Sequence, residues 1–521
     1  MLRRSESQRE LKLQSFLTTT LKELIMSIYS NIVKKYEHLL SKRRDHSLLN
    51  QILDRPSVLK NIAPSYGFFG GVKLEPLIIK VEDYITHISL EVKEENTYLN
   101  FKGLRLIDAN GQIIEFDEDV VLSFSSNIRS EQYARDFNNG VGFHSKLEDC
   151  PKLTLTFPDA KYVSRIEVIN RADKCGIRSR MLSVSVTSAN NSDSVELYHA
   201  YSDECIESFV NSLCKVTNLR SLNDVESEEL RYKLLKRALE KMREPNFKVE
   251  DDYFKFVLQL LSTWSEEKPL PAVHRIELEI LSFYIFCKTK SNIGVTLAPF
   301  STILSDSESL DILEEEINNL RLNSNLSQIQ LTKHGISHQG ILSKNISKAL
   351  ETIRIVIDDL ADMGLRPCLA YGTLLGAVRE QAFISHDDDV DLLVEFPQED
   401  INFEKAFLLT EALLKKFDKD KYRTDLEVRH GNNLNIHVML KETNFVLDIF
   451  PYWNSDGMSH LHMQNMKVRE IPAEILRDRS SVDLYGYKFP APGQPEQFLY
   501  ERYGESWHIS DKYHEWPWRL N

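Results

Sequence analysis

The chain has 521 residues, 42% hydrophobic, 10% aromatic and 27% charged, a balance that excludes global disorder, a collagen-like repeat and a disulfide scaffold. Its 64 basic and 78 acidic side chains leave a formal charge of −14. That argues against non-specific DNA or RNA binding and leaves room for a local basic pocket. At roughly 150 residues per domain the length predicts about three or four domains. The six cysteines (Cys150, Cys175, Cys205, Cys214, Cys287, Cys368) form no Cys-x-x-Cys pair, so isolated thiols in a reducing compartment are expected rather than a zinc ribbon or redox dithiol. Met1 to Glu10 is polar, and apolar runs such as Ile280 to Cys287 are too short to span a bilayer. The expectation is a soluble, cytoplasmic protein with no transmembrane segment, free to visit a membrane surface.

Between residues 11 and 49, apolar side chains recur at Leu17, Leu21, Leu24, Ile28, Ile32, Tyr36 and Leu39, steps that predict one long amphipathic helix. Its length suits either a homo-oligomerisation coiled coil or a helix packed on its own domain. Pro56, Pro64, Gly67, Gly70 and Gly71 then break the pattern. Short β-rich runs follow from about Leu74 to Ala200: Leu77 to Lys80, Ile85 to Val92, Gly103 to Ile107, Gln112 to Phe116, Val120 to Phe124, Leu153 to Phe157, Arg165 to Asn170 and Leu182 to Thr187. With turn signals such as Asn110-Gly111 between them, they predict an all-β sandwich. Residues 205 to 290 turn helical, with Leu230, Leu234, Ala238 and Met242 on one stripe. Residues 291 to 330 read as a polar connector, and 340 to 521 mix α and β.

The sharpest signal lies in this last region. Tyr371-Gly372-Thr373-Leu374-Leu375-Gly376-Ala377-Val378-Arg379 precedes His386-Asp387-Asp388-Asp389-Val390-Asp391-Leu392-Leu393-Val394. A helix over Ile346 to Met363 leads in, and Leu369 to Tyr371 is the expected short strand. Gly372 permits a sharp turn. Thr373 is expected to cap the next helix, whose N–H groups can hold phosphate, and Arg379 to add a bidentate phosphate contact. Side chains alternate along the strand Val390 to Val394, so Asp387, Asp389 and Asp391 fall on one face and Asp388 on the other. Three carboxylates so close repel one another unless a cation sits between them, and oxygen-only ligands suit Mg²⁺ or Mn²⁺. Such an ion also neutralises the phosphates of a nucleotide substrate. A third strand, Asn444 to Phe450, carries Asp448 between Leu447 and Ile449. This acid completes the metal site, acts as general base on an acceptor hydroxyl, or faces water from an edge. A solvated acidic loop is the rival reading of the whole run. A calcium loop lacks its Gly and Glu here.

At these residues the chain resembles the LicD/fukutin family of the nucleotidyltransferase-fold superfamily. The superfamily pattern, Gly-[Gly/Ser] followed by Asp-x-Asp on the next strand, is met by Gly372-Thr373 and Asp389-Val390-Asp391. The family's tail is similar too: Phe489-Pro490-Ala491-Pro492, Glu496-Gln497-Phe498-Leu499 and Arg502-Tyr503-Gly504-x-x-Trp507. Thr373 departs from the superfamily's Gly or Ser, and Ser385-His386 stands where many members have Pro-Trp. The resemblance covers about residues 340 to 515. It implies transfer of phosphocholine or ribitol phosphate from a CDP-activated donor to a sugar hydroxyl. It further implies a metal held by Asp389 and Asp391 with Asp387 assisting, donor phosphates gripped by Gly372, Thr373 and Arg379, and Asp448 as third carboxylate and candidate base. Phosphoryl transfer needs charge neutralisation and in-line positioning more than covalent chemistry. Animal members carry a membrane anchor, none is seen here, and a bacterial cytosolic enzyme is expected.

A second constellation lies in the β-rich region, where His144 is followed after 26 residues by Arg171-x-Asp173 and after four more by Arg178. Arg and His donors beside an apolar wall bind sugar hydroxyls, and an Asp orients an Arg. The spacing resembles the F-type lectins, a branch of the discoidin-like sandwiches, over about residues 75 to 200. That resemblance implies sugar contacts from His144, Arg171 and Arg178, with Asp173 supporting an Arg. Such lectins usually pair cysteines after the Asp, where only Cys175 stands here. The alternative is that Asn170, Arg171 and Asp173 hold loops of the sandwich and bind no sugar. His334, His338, His430 and His437 read as solvated or structural histidines, with a substrate contact open for His334 and His338 and an acceptor-site role open for His430 and His437. Trp507, Trp516 and Trp518 read as core or as a sugar-stacking platform.

The fold class expected is multidomain α+β: an N-terminal helical segment (1–72), a discoidin-like β-sandwich (73–202), a helical connector (203–335) and a nucleotidyltransferase-fold α/β domain (336–521). The function expected is metal-dependent transfer of phosphocholine or a phospho-alditol from a CDP-activated donor to a glycan precursor of a capsule, teichoic acid or lipopolysaccharide. Its cofactor is Mg²⁺ or Mn²⁺, and the sandwich keeps the glycan acceptor near the site. Two rivals stand beside it: a true nucleotidyltransferase releasing pyrophosphate, and a glycan-binding scaffold with an inactive transferase domain.

Overall fold

The computed structural model describes residues 48–53, 56–116, 119–127, 142–217, 227–244, 251–263, 270–332, 335–338, 345–385, 387, 389–398, 401–426, 434–463 and 468–514. They form a mixed α and β protein of two compact units, 1–280 and 281–521, the division falling inside the segment expected as a helical connector. The helix expected over 11 to 49 lies outside the described residues except at 48–49, which are helical. His334, His386, Asp388, His430, Trp516 and Trp518 also lie outside them, as does the side chain of His338. Among the described residues no helix is long and apolar enough to cross a membrane.

In the first unit, the runs predicted separately at Leu77 and Ile85 are one strand, β1 (Leu77–Val92), which is followed by the short β2 (Asn100–Phe101), β3 (Gly103–Ile107), β4 (Val121–Phe124) and β5 (Phe143–His144). Those predicted at Leu153 and Arg165 likewise merge into β6 (Lys152–Ile169), followed by β7 (Leu182–Ser188) and β8 (Ser194–His199). The β1–β6 register shifts between Lys80 and Asp83 and again between Ile85 and His87. Bulges therefore absorb the polar interruptions that read as strand ends. The sheet is antiparallel in the order β3-β6-β1-β7-β8, with β4 also on β6, while β2 and β5 pair separately. Gln112 to Phe116 forms no strand; Ile113 makes a single bridge to Ile107. Alternation chooses the core: Ile88, Leu90 and Val92, Leu153, Leu155 and Phe157, and Leu182, Val184 and Val186 are all buried.

Helices α1 (Asp203–Thr217), α2 (Ser227–Met242), α3 (Asp251–Leu260) and α4 (Pro271–Lys288) follow. The stripe Leu230, Leu234, Ala238 and Met242 is buried on α2. Nearby, the fully buried Glu277 pairs with Arg231 and accepts the Ser262 N–H at 2.8 Å. Burial nonetheless pushes its carboxyl above the ordinary value.

The second unit contains α5 (Ser307–Leu322), the hairpin β9 (Ile329–Thr332) and β10 (Gly335–His338), and α6 (Ile346–Asp362). On α6, Ala349, Leu350, Ile353, Val356, Ile357 and Leu360 recur every three or four residues and are buried. The helix stops at Gly364, whose φ of +81° admits two C-terminal bonds: Gly364 N–H to Ala361 O at 2.9 Å and Leu365 N–H to Leu360 O at 3.0 Å. Next come β11 (Arg366–Leu369), α7 (Tyr371–Glu380), β12 (Asp391–Phe396), α8 (Phe403–Leu414), β13 (Tyr422–Leu426), β14 (Ile436–Leu440), β15 (Phe445–Ser455), β16 (Met458–His462) and β17 (Val468–Pro472). The sheet order is β11-β12-β15-β14-β13, with β16 on β15 and β17 on β16. Among the described residues only β12 and β15 run parallel. Leu392, Leu393 and Val394 of β12 are fully buried, as an apolar run covered on both faces requires. The hairpin β18 (Ser480–Leu484) and β19 (Tyr487–Ala491) and the helix α9 (Pro495–Tyr503) close the unit.

Candidate active site at the start of α7

The junction of β11 and α7 sets the site. The expected strand Leu369 to Tyr371 ends at Leu369, and Tyr371 is already the first helical residue. Tyr371 has φ +40°, a left-handed conformation that is strained for so bulky a side chain. Its buried ring meets Phe450 edge-on at 4.8 Å, and its hydroxyl donates to the His462 carbonyl. Burial pushes the phenol well up, so it stays a neutral donor.

Thr373 is not the cap expected. The cap position is Ala370, which offers no side-chain bond, and Thr373 lies inside the first turn with its Oγ1 accepting the Asp391 N–H at 2.9 Å. The orphan donor at Gly372 is met from another strand: Gly372 N–H donates to Asp391 Oδ2 at 3.1 Å. A carboxylate at a helix N-terminus is favoured by both the free N–H and the helix dipole.

Asp391 opens β12, and its parallel neighbour is Asp448 on β15. Asp389 joins them, so that one carboxylate oxygen from each of Asp389, Asp391 and Asp448 lies within 4.8 Å of the other two. Asp391 is buried and the other two are half-buried. An all-oxygen donor set of three like charges fits a hard divalent cation. Asp387 is outside this trio. Its carboxylate packs on Gly372, where a Cβ would fall 2.4 Å from Oδ2. A side chain at Gly372 would therefore push the Asp387 carboxylate aside, and no sharp turn demands glycine there, since its φ is not positive.

The strand β14 completes the surroundings of Asp448. Asn435 Nδ2 donates to Asp448 Oδ2 at 3.1 Å, and His437, the cross-strand partner of Asp448, places Nε2 3.7 Å from Oδ1. Asp391, Asp448 and His437 thus form a row across three adjacent strands. Asn435 was missed in the sequence; its signal is the alternation Asn435-Ile436-His437 entering a strand beside Asp448. Arg379 sits about 10 Å along α7 from Gly372 at 1.5 Å per residue. Glu380 Oε1 takes its Nη2 and Nε at 2.6 and 3.2 Å, and the structure does not join it to the carboxylates.

In the first unit the other constellation falls into two groups. Arg171 forks onto Asp173, with Nε to Oδ1 at 3.0 Å, and Asp173 also takes the Cys175 N–H at 3.0 Å. The bond from Asp173 holds the Arg171 guanidinium firmly charged. Arg178 lies over the Tyr98 ring at 4.2 Å, and Tyr98 meets His144 edge-on at 5.3 Å. Tyr98, absent from the sequence reading, links two of its residues. Asn170 is fully buried; it reaches Phe69 O at 3.0 Å and Gly176 O at 3.1 Å and accepts from Ser179 Oγ at 3.0 Å. Asn170 and Asp173 therefore hold loops, whether or not Arg171, Arg178 and His144 meet a ligand.

No curated protein matches the chain. Residues 364–494, which contain Gly372, Thr373, Arg379, Asp387 and all three carboxylates of the trio, match the family model LicD/FKTN/FKRP, nucleotidyltransferase domain.

Proposed function

We propose that the protein is a metal-dependent transferase that moves a phospho-substituent, phosphocholine or a phospho-alditol, from a CDP-activated donor to a hydroxyl of a cell-surface glycan precursor. The observation that carries this reading is the convergence of Asp389, Asp391 and Asp448 within 4.8 Å at the N-terminus of α7, inside the region matched by the LicD family model. Asp389, Asp391 and Asp448 would hold Mg²⁺ or Mn²⁺, which when bound neutralises charge on the donor phosphates. Asp391 is oriented by the Gly372 N–H, and Asp448 by Asn435 with His437 alongside. So held, Asp448 would also receive the proton of the acceptor hydroxyl. Asp387, against Gly372, adds a fourth acid at the helix start. The sandwich-like first unit, through Arg171, Arg178 and His144, would hold further glycan and raise its effective concentration.

The test is product analysis with purified protein and CDP-linked donors. Release of CMP, with turnover lost in folded Asp389→Ala and Asp391→Ala proteins, supports the transferase. Release of pyrophosphate from CTP supports a nucleotidyltransferase instead, and retained turnover in both variants removes the site assignment.

A further inference from the structure

A cavity of about 690 Å³ opens on the second unit away from the carboxylates. One wall is the C-terminal end of α7, at Ala377, Val378 and Gln381, and the opposite wall is β18 and the start of α9. Gln381, nine residues beyond Gly372, lies about 14 Å farther along the same helix. The walls are fixed to one another. The Gln381 carbonyl accepts the Tyr485 N–H at 2.8 Å, which ties the β18–β19 hairpin to the end of α7. Gly504, at φ +82°, turns the chain out of α9, and Trp507 N–H bonds back to the Gly504 carbonyl at 3.2 Å.

The chemistry of the lining is specific. Tyr500 and Trp507 present aromatic surface; Tyr500 is 48% exposed, and Trp507 is anchored on the core beneath. Gln381, Gln494 and Gln497 supply amides, and Asp483 and Glu496 supply carboxylates. No Lys, Arg or His lines the cavity among the described residues. The side chains of Asp483, Glu496 and Tyr500 make no hydrogen bond or ion pair with the described residues. Aromatic faces match the C–H faces of sugar rings, while amides and carboxylates both accept and share hydroxyl protons. The volume is that of a ligand site, and two unpaired carboxylates repel phosphate and uronate.

We infer that this groove is a carbohydrate subsite for a neutral or amino-sugar chain and that it excludes anionic glycans. Its role as the place where the acceptor's non-reacting part rests, on the same helix whose start carries the transfer site, depends on the function proposed above; sugar binding itself does not.

The experiment uses the full chain on an array of phosphate-free neutral and amino-sugar oligosaccharides beside phosphorylated and uronic-acid counterparts, followed by calorimetry of the best binder. The expected result is preference for the uncharged or amino-sugar members and about a tenfold loss of affinity, equivalent to about 1.4 kcal/mol, in Tyr500→Ala or Gln497→Ala. Affinity is expected to be retained in Leu408→Ala, an exposed position on α8 outside the groove. Both groove residues are on the surface of α9, and an unchanged melting temperature confirms folding. Hydrogen exchange provides a second reading: the bound sugar is expected to protect Ser481–Asp483 and Gln494–Trp507. Unchanged affinity in both groove variants, loss in Arg178→Ala instead, preference for anionic glycans, or no binder on the array each overturns the inference. Groove binding without metal-dependent donor binding overturns only the proposed transferase, and donor binding without groove binding overturns only the subsite.

Discussion

Replacing Asp391 by Asn separates the charge of this side chain from its shape. The amide keeps an oxygen for the Gly372 N–H, now 3.1 Å from Oδ2, and leaves the backbone bond to Thr373 in place. What disappears is one of three like charges within 4.8 Å, each pair of which costs about 3.5 kcal/mol at an effective dielectric of about 20. Asp389 and Asp448 are only half-buried, so solvent screening reduces the relief to about 1–2 kcal/mol. In EDTA the Asp391→Asn protein is therefore expected to melt higher than the wild type, by about 2–8 °C for a unit of this size. Saturating Mg²⁺ is expected to reverse the order. An ion at a hundredfold its dissociation constant stabilises the wild type by about 2.7 kcal/mol, and the variant much less. Scanning calorimetry of both proteins in EDTA and in Mg²⁺ reads all four values. A variant that melts below the wild type in EDTA, or that gains as much from Mg²⁺, refutes the reasoning, because the carboxylate would then be a structural cap and not a metal ligand.

Gly376→Ala and Gly372→Ala are expected to behave differently. A Cβ at Gly376 meets the backbone at Ala382 O, 2.4 Å, and at Ile384 N, 3.0 Å, so overpacking of about 1–3 kcal/mol outweighs the helix gain of up to about 1 kcal/mol and lowers the urea midpoint. A Cβ at Gly372 meets the movable end of the Asp387 side chain, outside the trio, so this variant is expected to keep both its stability and its response to Mg²⁺ in a thermal melt. Glu277→Ala strands the largely buried Arg231, with an expected cost of about 3–5 kcal/mol in urea unfolding of the first unit; a cost below about 1 kcal/mol would show that the pair is dispensable. Burial pushes the Cys368 thiol from 9.0 up to about 11. Because the folded-state value is the higher one, the neutral thiol's contribution is intact below pH 9 and is lost as pH rises through 11. At neutral pH a thiol reagent is expected to label exposed Cys150 quickly and Cys368 only after unfolding.

The C-terminal unit was the more legible part of the sequence, for physical reasons. Acids beside or within a strand as apolar as Leu392-Leu393-Val394 or Phe445 to Phe450 contradict their surroundings, and alternation then shows which face they share. The parallel pairing of Asp391 with Asp448 has no such local trace, and it is this pairing that makes Asp448 rather than Asp387 the third member of the trio. The start of α7 was misread for the same reason. Its first donor is met by Asp391, 19 residues farther on, so no capping residue had to precede the helix. In the first unit, bulges between Lys80 and Asp83 and between Ile85 and His87 carry β1 through polar residues that look like turns. Tyr98 joins His144 to Arg178 from a position outside the spacing motif.

The most direct test of the central claim is calorimetry of the purified protein against CDP-choline, CDP-ribitol, CDP-glycerol and CTP, with and without Mg²⁺. One CDP-linked compound is expected to bind only with the metal, and Asp391→Ala to abolish the heat. Binding that is equal with and without Mg²⁺, preference for CTP over every CDP-linked compound, or no nucleotide binding at all contradicts the claim.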